Sequence, residues 1–355
     1  MGEPWAAGLK GRKVLVTGAT GFIGRRLVPA LLAAGADVTA LSRGRAQVSP
    51  DVRQVAGDLR DPEAVRAAVA GQELICHLAY DVRASAAANL AGFETLVGAA
   101  EAGGHARLVH LSSIVVYDGW PEGRIDETSP MIRPGGGPYR KAKIAMETRL
   151  MAGRLSAAIL QPTIVWGPGS ALWTDLFAGA LLRGAVLLPE PAGLCQGVFV
   201  EDVVQAVLRA AVAEDLGRER FIVNGPAPFG WAELIGGYRD ILGRGEVQLR
   251  PADELSPPPV PEAAAEAGPS PAARIGALGR RLFGRARFEA LARFARRHLA
   301  MGGGAMRPDA HLFALYMARG ECPADRARER LGYAPRYGLA EGLAATAAYL
   351  KEFDR

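Results

Sequence analysis

The chain has 355 residues, 49% of them hydrophobic and 22% charged, the composition of an ordinary soluble protein with room for a large core and more than one domain. Cys76, Cys195 and Cys322 lie too far apart for a metal-ligand spacing or a disulfide framework, and no apolar run has the length of a leader or a membrane span. A cytoplasmic protein without a metal site is expected. The net charge of +5 is local, because residues 271–300 hold eight arginines against one acid, Glu289, and it does not argue for nucleic-acid binding by the whole chain.

Lys13-Val-Leu-Val-Thr17 is a β-branched run closed by glycine and predicts a buried strand. Residues 22–34 repeat apolar side chains at helical spacing and stop at Gly35. Strands follow at Val38–Leu41 and near Val52–Val55, then a helix over 61–69 and a strand Leu74–Ala79. A helix over 86–102 leads into a strand Leu108–Ser112, and a helix from about Tyr139 precedes a strand Ala157–Ile164. This alternation predicts an α/β fold, a doubly wound parallel sheet with helices on both faces. Residues 256–271 are Pro/Ala/Glu-rich and read as a linker; 272–300 alternate Leu/Phe and Arg at helical spacing and read as a basic amphipathic segment.

Gly18, Gly21 and Gly24 stand between the first strand and the first helix. Glycine there permits a tight turn, close backbone approach to a pyrophosphate and close helix-on-strand packing, with the anion on the helix N-terminus. Gly18, Thr20, Gly21, Phe22, Ile23 and Gly24 are therefore candidate dinucleotide contacts. At the end of the second strand, Ser42-Arg43-Gly-Arg45 offers no acid for a ribose diol and two guanidinium groups. A 2′-phosphate suits that end better, so NADP is favoured over NAD, with Ser42 and Arg43 as contacts.

Tyr139 and Lys143 are four residues apart, on one face of a helix. A lysine charge beside a tyrosine stabilises phenolate and is expected to lower its pKa toward neutrality, as proton transfer requires. Ser113, just after the strand Leu108-Val-His-Leu111, could polarise a reacting oxygen; Ser112 competes for that role.

The glycine turn, Ser113-x-x-x-Tyr117 and Tyr139-x-x-x-Lys143 together resemble the extended short-chain dehydrogenase/reductase superfamily of NAD-dependent epimerases and dehydratases. Gly57-Asp58-Leu59, His77-Leu-Ala-Tyr80, Asn89-Leu-Ala-Gly92, Gly167-Pro-Gly169, Val200-Glu-Asp202 and Leu331-Gly-Tyr-Ala-Pro335 extend the resemblance. It implies a Rossmann domain, mainly residues 1–168, and a smaller α+β substrate domain, mainly 169–355. It also implies Tyr139 as general acid/base, Lys143 as its modulator and ribose anchor, and Ser113 as orienter of the reacting oxygen. Asp58, Leu59, Ala79, Tyr80, Pro162 and Ile164 join the cofactor contacts, and a homodimer is expected. Asp202, before an apolar helix, reads as an N-cap.

Two departures narrow the chemistry. The superfamily's dehydratases carry Asp-Glu after the catalytic hydroxyl, where this chain has Ile114-Val115 after Ser113. Gln161 stands where an arginine is usual, and Thr163 where sugar-nucleotide members carry asparagine. The first argues against dehydration, and the second against a nucleotide-sugar substrate and toward the reductase-like branches; the choice between an epimerase and a reductase or dehydrogenase acting on a sugar, nucleotide sugar or other small carbonyl compound stays open. A non-catalytic dinucleotide-binding redox sensor or scaffold is the rival from another class. The basic segment reads as a helix packed on the small domain, ahead of a lid over an anionic substrate or a membrane-surface contact.

Overall fold

The computed structural model describes residues 4–44, 48–104, 107–257 and 304–353. Arg45, the basic segment 272–300 and nearly all of the proline-rich stretch lie outside the described residues. The elements run β1 (Lys13–Thr17), α1 (Gly24–Ala33), β2 (Asp37–Ser42), β3 (Arg53–Ala56), α2 (Pro62–Val69), β4 (Leu74–His77), α3 (Ala86–Ala102), β5 (Arg107–Leu111), α4 (Gly137–Ala152) and β6 (Ser156–Pro162). Then come β7 (Ile164–Trp166), α5 (Leu176–Arg183), β8 (Ala185–Glu190), β9 (Leu194–Cys195), β10 (Gly197–Phe199), α6 (Val200–Val212), β11 (Arg218–Val223), β12 (Phe229–Gly230), α7 (Trp231–Leu242), β13 (Glu246–Pro251) and α8 (Ala252–Leu255). Helices Ala310–Met317, Asp325–Leu331 and Leu339–Phe353 follow.

Seven strands form one parallel sheet in the order β11-β6-β5-β4-β1-β2-β3. The chain winds outward from β1 in both directions, the doubly wound arrangement expected. Side chains alternate across the sheet: Val14 and Val16 pack with α1 and α6, and Leu15 packs with α2, α3 and α4. The inner strands β1, β4, β5 and β6 are buried on both faces and read as largely apolar runs, while the edge strand β3 is not. A second core around Trp166, Phe177, Trp231, Tyr238 and Tyr316 joins β7, β8, α5, α7 and the helix Ala310–Met317. No helix among the described residues is long and apolar enough to cross a membrane.

The strand expected over 157–164 is two strands. β6 ends at Pro162, paired with Val223 of β11, while Ile164 begins β7, which pairs with β10 in a separate sheet. Thr163 is the joint: its N–H donates to the Val223 carbonyl at 3.1 Å and its hydroxyl to Asn224 Oδ1 at 2.8 Å, while Ile164 N–H turns to the Gln196 carbonyl. Asp202 is not an N-cap. It lies inside the first turn of α6, 1% exposed, and its carboxylate accepts from Arg336 N–H at 2.8 Å and Tyr337 N–H at 3.1 Å. The local rule failed because the partner arrives from the far end of the chain.

His77 on β4 and His110 on β5 are register partners, fully buried, with rings stacked 5.3 Å apart. His77 Nδ1 meets the Thr17 hydroxyl at 2.7 Å. Burial, reinforced by the Lys143 charge, pulls His77 down to about 3 and His110 well below the usual histidine value. Below the unfolded-state pKa near 6.5 the unfolded chain binds protons that the native chain does not, so stability falls as pH drops from there. Each histidine contributes a slope of about 1.4 kcal/mol per pH unit. Urea unfolding between pH 5 and 6 should show this slope, reduced by about one proton in His110→Gln; an unchanged slope would mean that His110 titrates normally in the native protein.

Candidate active site

The turn between β1 and α1 is closed by backbone contact. Gly18 has φ +77°, and a Cβ there would lie 2.8 Å from Ala79 N; one on Gly24 would lie 2.2 Å from the Gly18 carbonyl oxygen. Neither position admits a side chain. Gly21 N–H donates to the Gly18 carbonyl at 2.9 Å, and Thr20 and Gly21 are exposed at the tip. The result is an open cradle at the switch point of the sheet, where the carboxyl ends of parallel strands meet ligands. Ser42, at the end of β2, points a buried hydroxyl that has no partner among the described residues. The cradle and this free hydroxyl fit a dinucleotide.

The adenosine edge differs from its sequence description. No acid follows β2 locally, but the fold brings two. Arg43 donates to Asp81 Oδ2 at 2.8 Å and lies 4.0 Å from Asp58. Asp58 also binds the Arg60 side chain, whose hydrogen bonds lower the carboxyl to about 2, and Asp81 accepts from Arg83 Nε at 3.2 Å. Three exposed guanidinium groups on three loops thus surround two carboxylates. Leu59 packs inward, close to α3 at Gly92, where a Cβ would lie 2.9 Å from it. Asn89 pins the loop after β4 by accepting from Asp81 N–H at 2.8 Å and donating to the Asp81 carbonyl at 3.0 Å.

At the end of β5, Ser113 caps a short turn, Ile114–Val116, and its hydroxyl lies near enough to that of Tyr139 to pull the phenol down. Ser112 instead donates its N–H to the Leu160 carbonyl, and its hydroxyl is buried without a partner among the described residues. The geometry therefore joins Ser113, and not Ser112, to the tyrosine. The Tyr139 ring stands edge-on to Tyr80, with centroids 4.9 Å apart. Lys143, 3% exposed, donates to the Leu111 carbonyl at 2.7 Å and lies 5.1 Å from the Tyr80 ring centroid and 5.8 Å from that of Tyr139.

The expected lowering of the tyrosine is not what this arrangement produces. The Tyr139 ring is 39% exposed, but its hydroxyl end is enclosed; burial pushes the phenol up to about 12, against a downward pull from Ser113. Lys143 itself is pulled down to about 8 by burial, opposed by Glu147. Pro162 and Ile164 are both buried, and the Ile164 side chain belongs to the second core and not to the site.

Three residues that sequence reasoning passed over build the surroundings. Arg140 ties α4 to the loop after β5 by donating to the carbonyls of Val115 and Val116, both at 3.0 Å, and to the Asp118 carboxylate. Arg26 on α1 donates to Glu201 at 2.9 Å and to the carbonyls of Phe22 and Pro168, joining the glycine turn to Gly167-Pro-Gly169 and the start of α6. Glu147, fully buried one turn beyond Lys143, accepts from Gln161 Nε2 at 3.0 Å and from Arg220 Nε at 2.6 Å. The spacing 140, 143, 147 was the available signal, because it is the inward stripe of α4.

A model of the NAD dependent epimerase/dehydratase family matches residues 14–224. The chain belongs to this family. A 3-diazoavenalumate denitrifying reductase from a Streptomyces species is 33% identical over 263 residues, 68% of this chain and 84% of the relative. A 2-alkyl-3-oxoalkanoate reductase from Stenotrophomonas maltophilia is 30% identical over 244 residues, 63% of this chain and 73% of the relative. An epimerase structure from Methanothermobacter thermautotrophicus superposes with a TM-score of 0.70, covering 98% of this chain and 94% of its own at 19% identity, a likeness of fold. The chain is thus an NAD-dependent enzyme of the oxidoreductase and epimerase kind.

Proposed function

We propose that this family member is a net NADP-dependent reductase or dehydrogenase acting at a ketone or secondary alcohol carbon that carries an apolar chain. The observation that carries the reading is the placing of Ser113 beside the Tyr139 hydroxyl at the end of β5, with Lys143 fixed next to them by the Leu111 carbonyl. Bound at the glycine turn, the dinucleotide would give or take the hydride. Ser113 orients the substrate oxygen and Tyr139 exchanges a proton with it. A phenol held near 12 keeps its proton at neutral pH and suits donation to a forming alkoxide, the direction of reduction.

The apolar chain is inferred from the rim. Val82, Ile132 and Leu172 are the most exposed large hydrophobic side chains among the described residues, at 83%, 86% and 62%. Val82 and Ile132 stand on loops leaving the carboxyl ends of β4 and β5, the end of the sheet that holds Tyr139, and Leu172 stands on the helical turn Ala171–Asp175 after β7. Their backbones are held: Arg83 N–H binds Asp81, Ile132 N–H binds Asp118 at 2.8 Å, and Thr174 accepts from Gly167 N–H and meets Tyr238. Apolar groups held out on ordered loops mark a binding surface. The similarity to a 2-alkyl-3-oxoalkanoate reductase supports an alkyl ketone. NADP is supported by Arg43, Arg60 and Arg83, which outnumber Asp58 and Asp81 and leave a net positive edge for a 2′-phosphate that competes with Asp81 for Arg43.

Tyr139→Phe should lower kcat by about 10²–10⁴ while NADPH binding, followed by fluorescence, stays within a few-fold; full activity would refute the role. Wild-type binding without turnover on any ketone of a broad panel would favour the redox-sensor reading. Leu172→Asp should raise KM for long-chain ketones by about tenfold, from the few methylenes it covers, and clearly less for short ones; equal effects at all chain lengths would remove the apolar rim from the substrate site. For the cofactor, 2′,5′-ADP should protect against thermal unfolding better than 5′-AMP, and Arg43→Ala should erase the difference. Equal protection in the wild type would assign NAD.

A further inference from the structure

We propose that Glu147, anchored by Gln161 and Arg220, is a positioning residue whose buried negative charge keeps Lys143 protonated. The inference goes beyond the redox reading, on which only its catalytic consequence rests. Lys143 donates to a neutral carbonyl, that of Leu111, and lies between the rings of Tyr80 and Tyr139. These contacts offset part of the cost of a buried ammonium, but none of them carries an opposite charge. The charged and titratable groups around it are His110 on β5, His77 on β4, Tyr80 on the loop beyond β4, and Tyr139, Arg140 and Glu147 on its own helix. Both histidines are held neutral, Arg140 is directed to Asp118, and the tyrosines keep their protons. Glu147 remains as the carboxylate on the inward stripe of α4, one turn away.

A carboxylate with no exposure needs its own partners to stay ionised. Gln161 Nε2 lies 3.0 Å from both of its oxygens, Arg220 Nε lies 2.6 Å from one, and the Tyr117 hydroxyl fixes the amide by donating to Gln161 Oε1 at 2.7 Å. The glutamine stands on β6, and the guanidinium comes from the neighbouring strand β11. Arg220 thus reaches Glu147 from β11, which β6 separates from β5, the strand of Lys143's own ligand Leu111. The carboxylate is bound by Gln161 and Arg220 and makes no direct hydrogen bond to the lysine. The burial that lowers Lys143 and the Glu147 charge that raises it leave the lysine near 8, still mostly protonated at neutral pH.

The chain contains five lysines, so ¹³Cε-lysine NMR can follow each one, with Lys143→Arg assigning the buried signal. Lys143 should titrate well below the others in the wild type. Glu147→Gln should lower its midpoint by about one unit or more, the size of one nearby opposite charge. Glu147→Met/Arg220→Met removes both buried charges and strands neither, so it carries the test where the single variant fails to fold; a smaller fall is expected there. Glu147→Asp keeps the charge and should keep most of the midpoint. An unchanged or raised midpoint in the charge-removing variants overturns the proposal. The titration needs no substrate or dinucleotide, so a failed redox assignment would leave it intact. Where ketone turnover is found, the alkaline limb of kcat should move down with the lysine.

Discussion

Two buried cations on one face of α4, Arg140 and Lys143, direct their hydrogen bonds to the carboxyl end of β5 and the loop that follows it. Everything chemical in the molecule depends on that seam. A strand end exposes carbonyls that no further strand accepts, and a buried cation needs acceptors; each satisfies the other. Tyr139 sits just before these residues on the same helix, so the seam determines where its hydroxyl lies relative to Ser113. The bonds of Arg140 to Val115 and Val116 fix the turn that Ser113 caps, and the bond of Lys143 to Leu111 fixes the strand before it. The two hydroxyls are brought together by anchoring on both sides of Ser113.

The seam has an electrostatic cost that the rest of the α4 stripe offsets. An ammonium placed among two neutral histidines and two tyrosine rings is far from water, and cation–π contacts at 5.1 and 5.8 Å recover only part of its solvation. Glu147 supplies the opposite charge one turn later, and Arg220 from β11 balances Glu147 in turn. The alternation Arg140, Lys143, Glu147 is therefore a row of charges buried because each has a fixed partner across the sheet: Asp118, Leu111, then Gln161 and Arg220. The same row explains why the tyrosine is not lowered. Lys143 is close to its ring but engaged with a carbonyl, and enclosure of the phenol dominates.

What could be read from the chain alone was the set of features with local causes. The glycine turn was legible because Gly24 answers a contact within the turn and Gly18 its own positive φ, and the sheet because its inner strands are buried apolar runs. Ser113, Tyr139 and Lys143 were legible as a set through their motif company. What was not legible shares one property: the partner is remote in sequence. Asp202 looks like a cap until Arg336 and Tyr337 arrive; Arg43 looks free until the loop after β4 brings Asp81; Glu147 looks like a solvated helix residue until β11 brings Arg220. The break at Thr163 was hidden for the same reason, since it is set by Val223, Asn224 and Gln196 and not by the run of apolar residues around it.

That property also orders the functional conclusions. The glycine cradle requires only that a backbone approach a phosphate, and most proteins with this turn and sheet meet that requirement in the same way. Choice of cofactor phosphate and of substrate chain rests on side chains held by distant partners: Arg43 against Asp81, Ile132 against Asp118, Leu172 on a turn braced by Thr174 and Tyr238. Arg43, Ile132 and Leu172 are themselves exposed, while Lys143 is buried. Substitutions at the rim can therefore alter which molecule is bound at little cost to the fold, whereas those on the inner stripe of α4 disturb proton handling and packing together. The separation between a rigid reacting centre and a replaceable rim follows from where each charge found its partner.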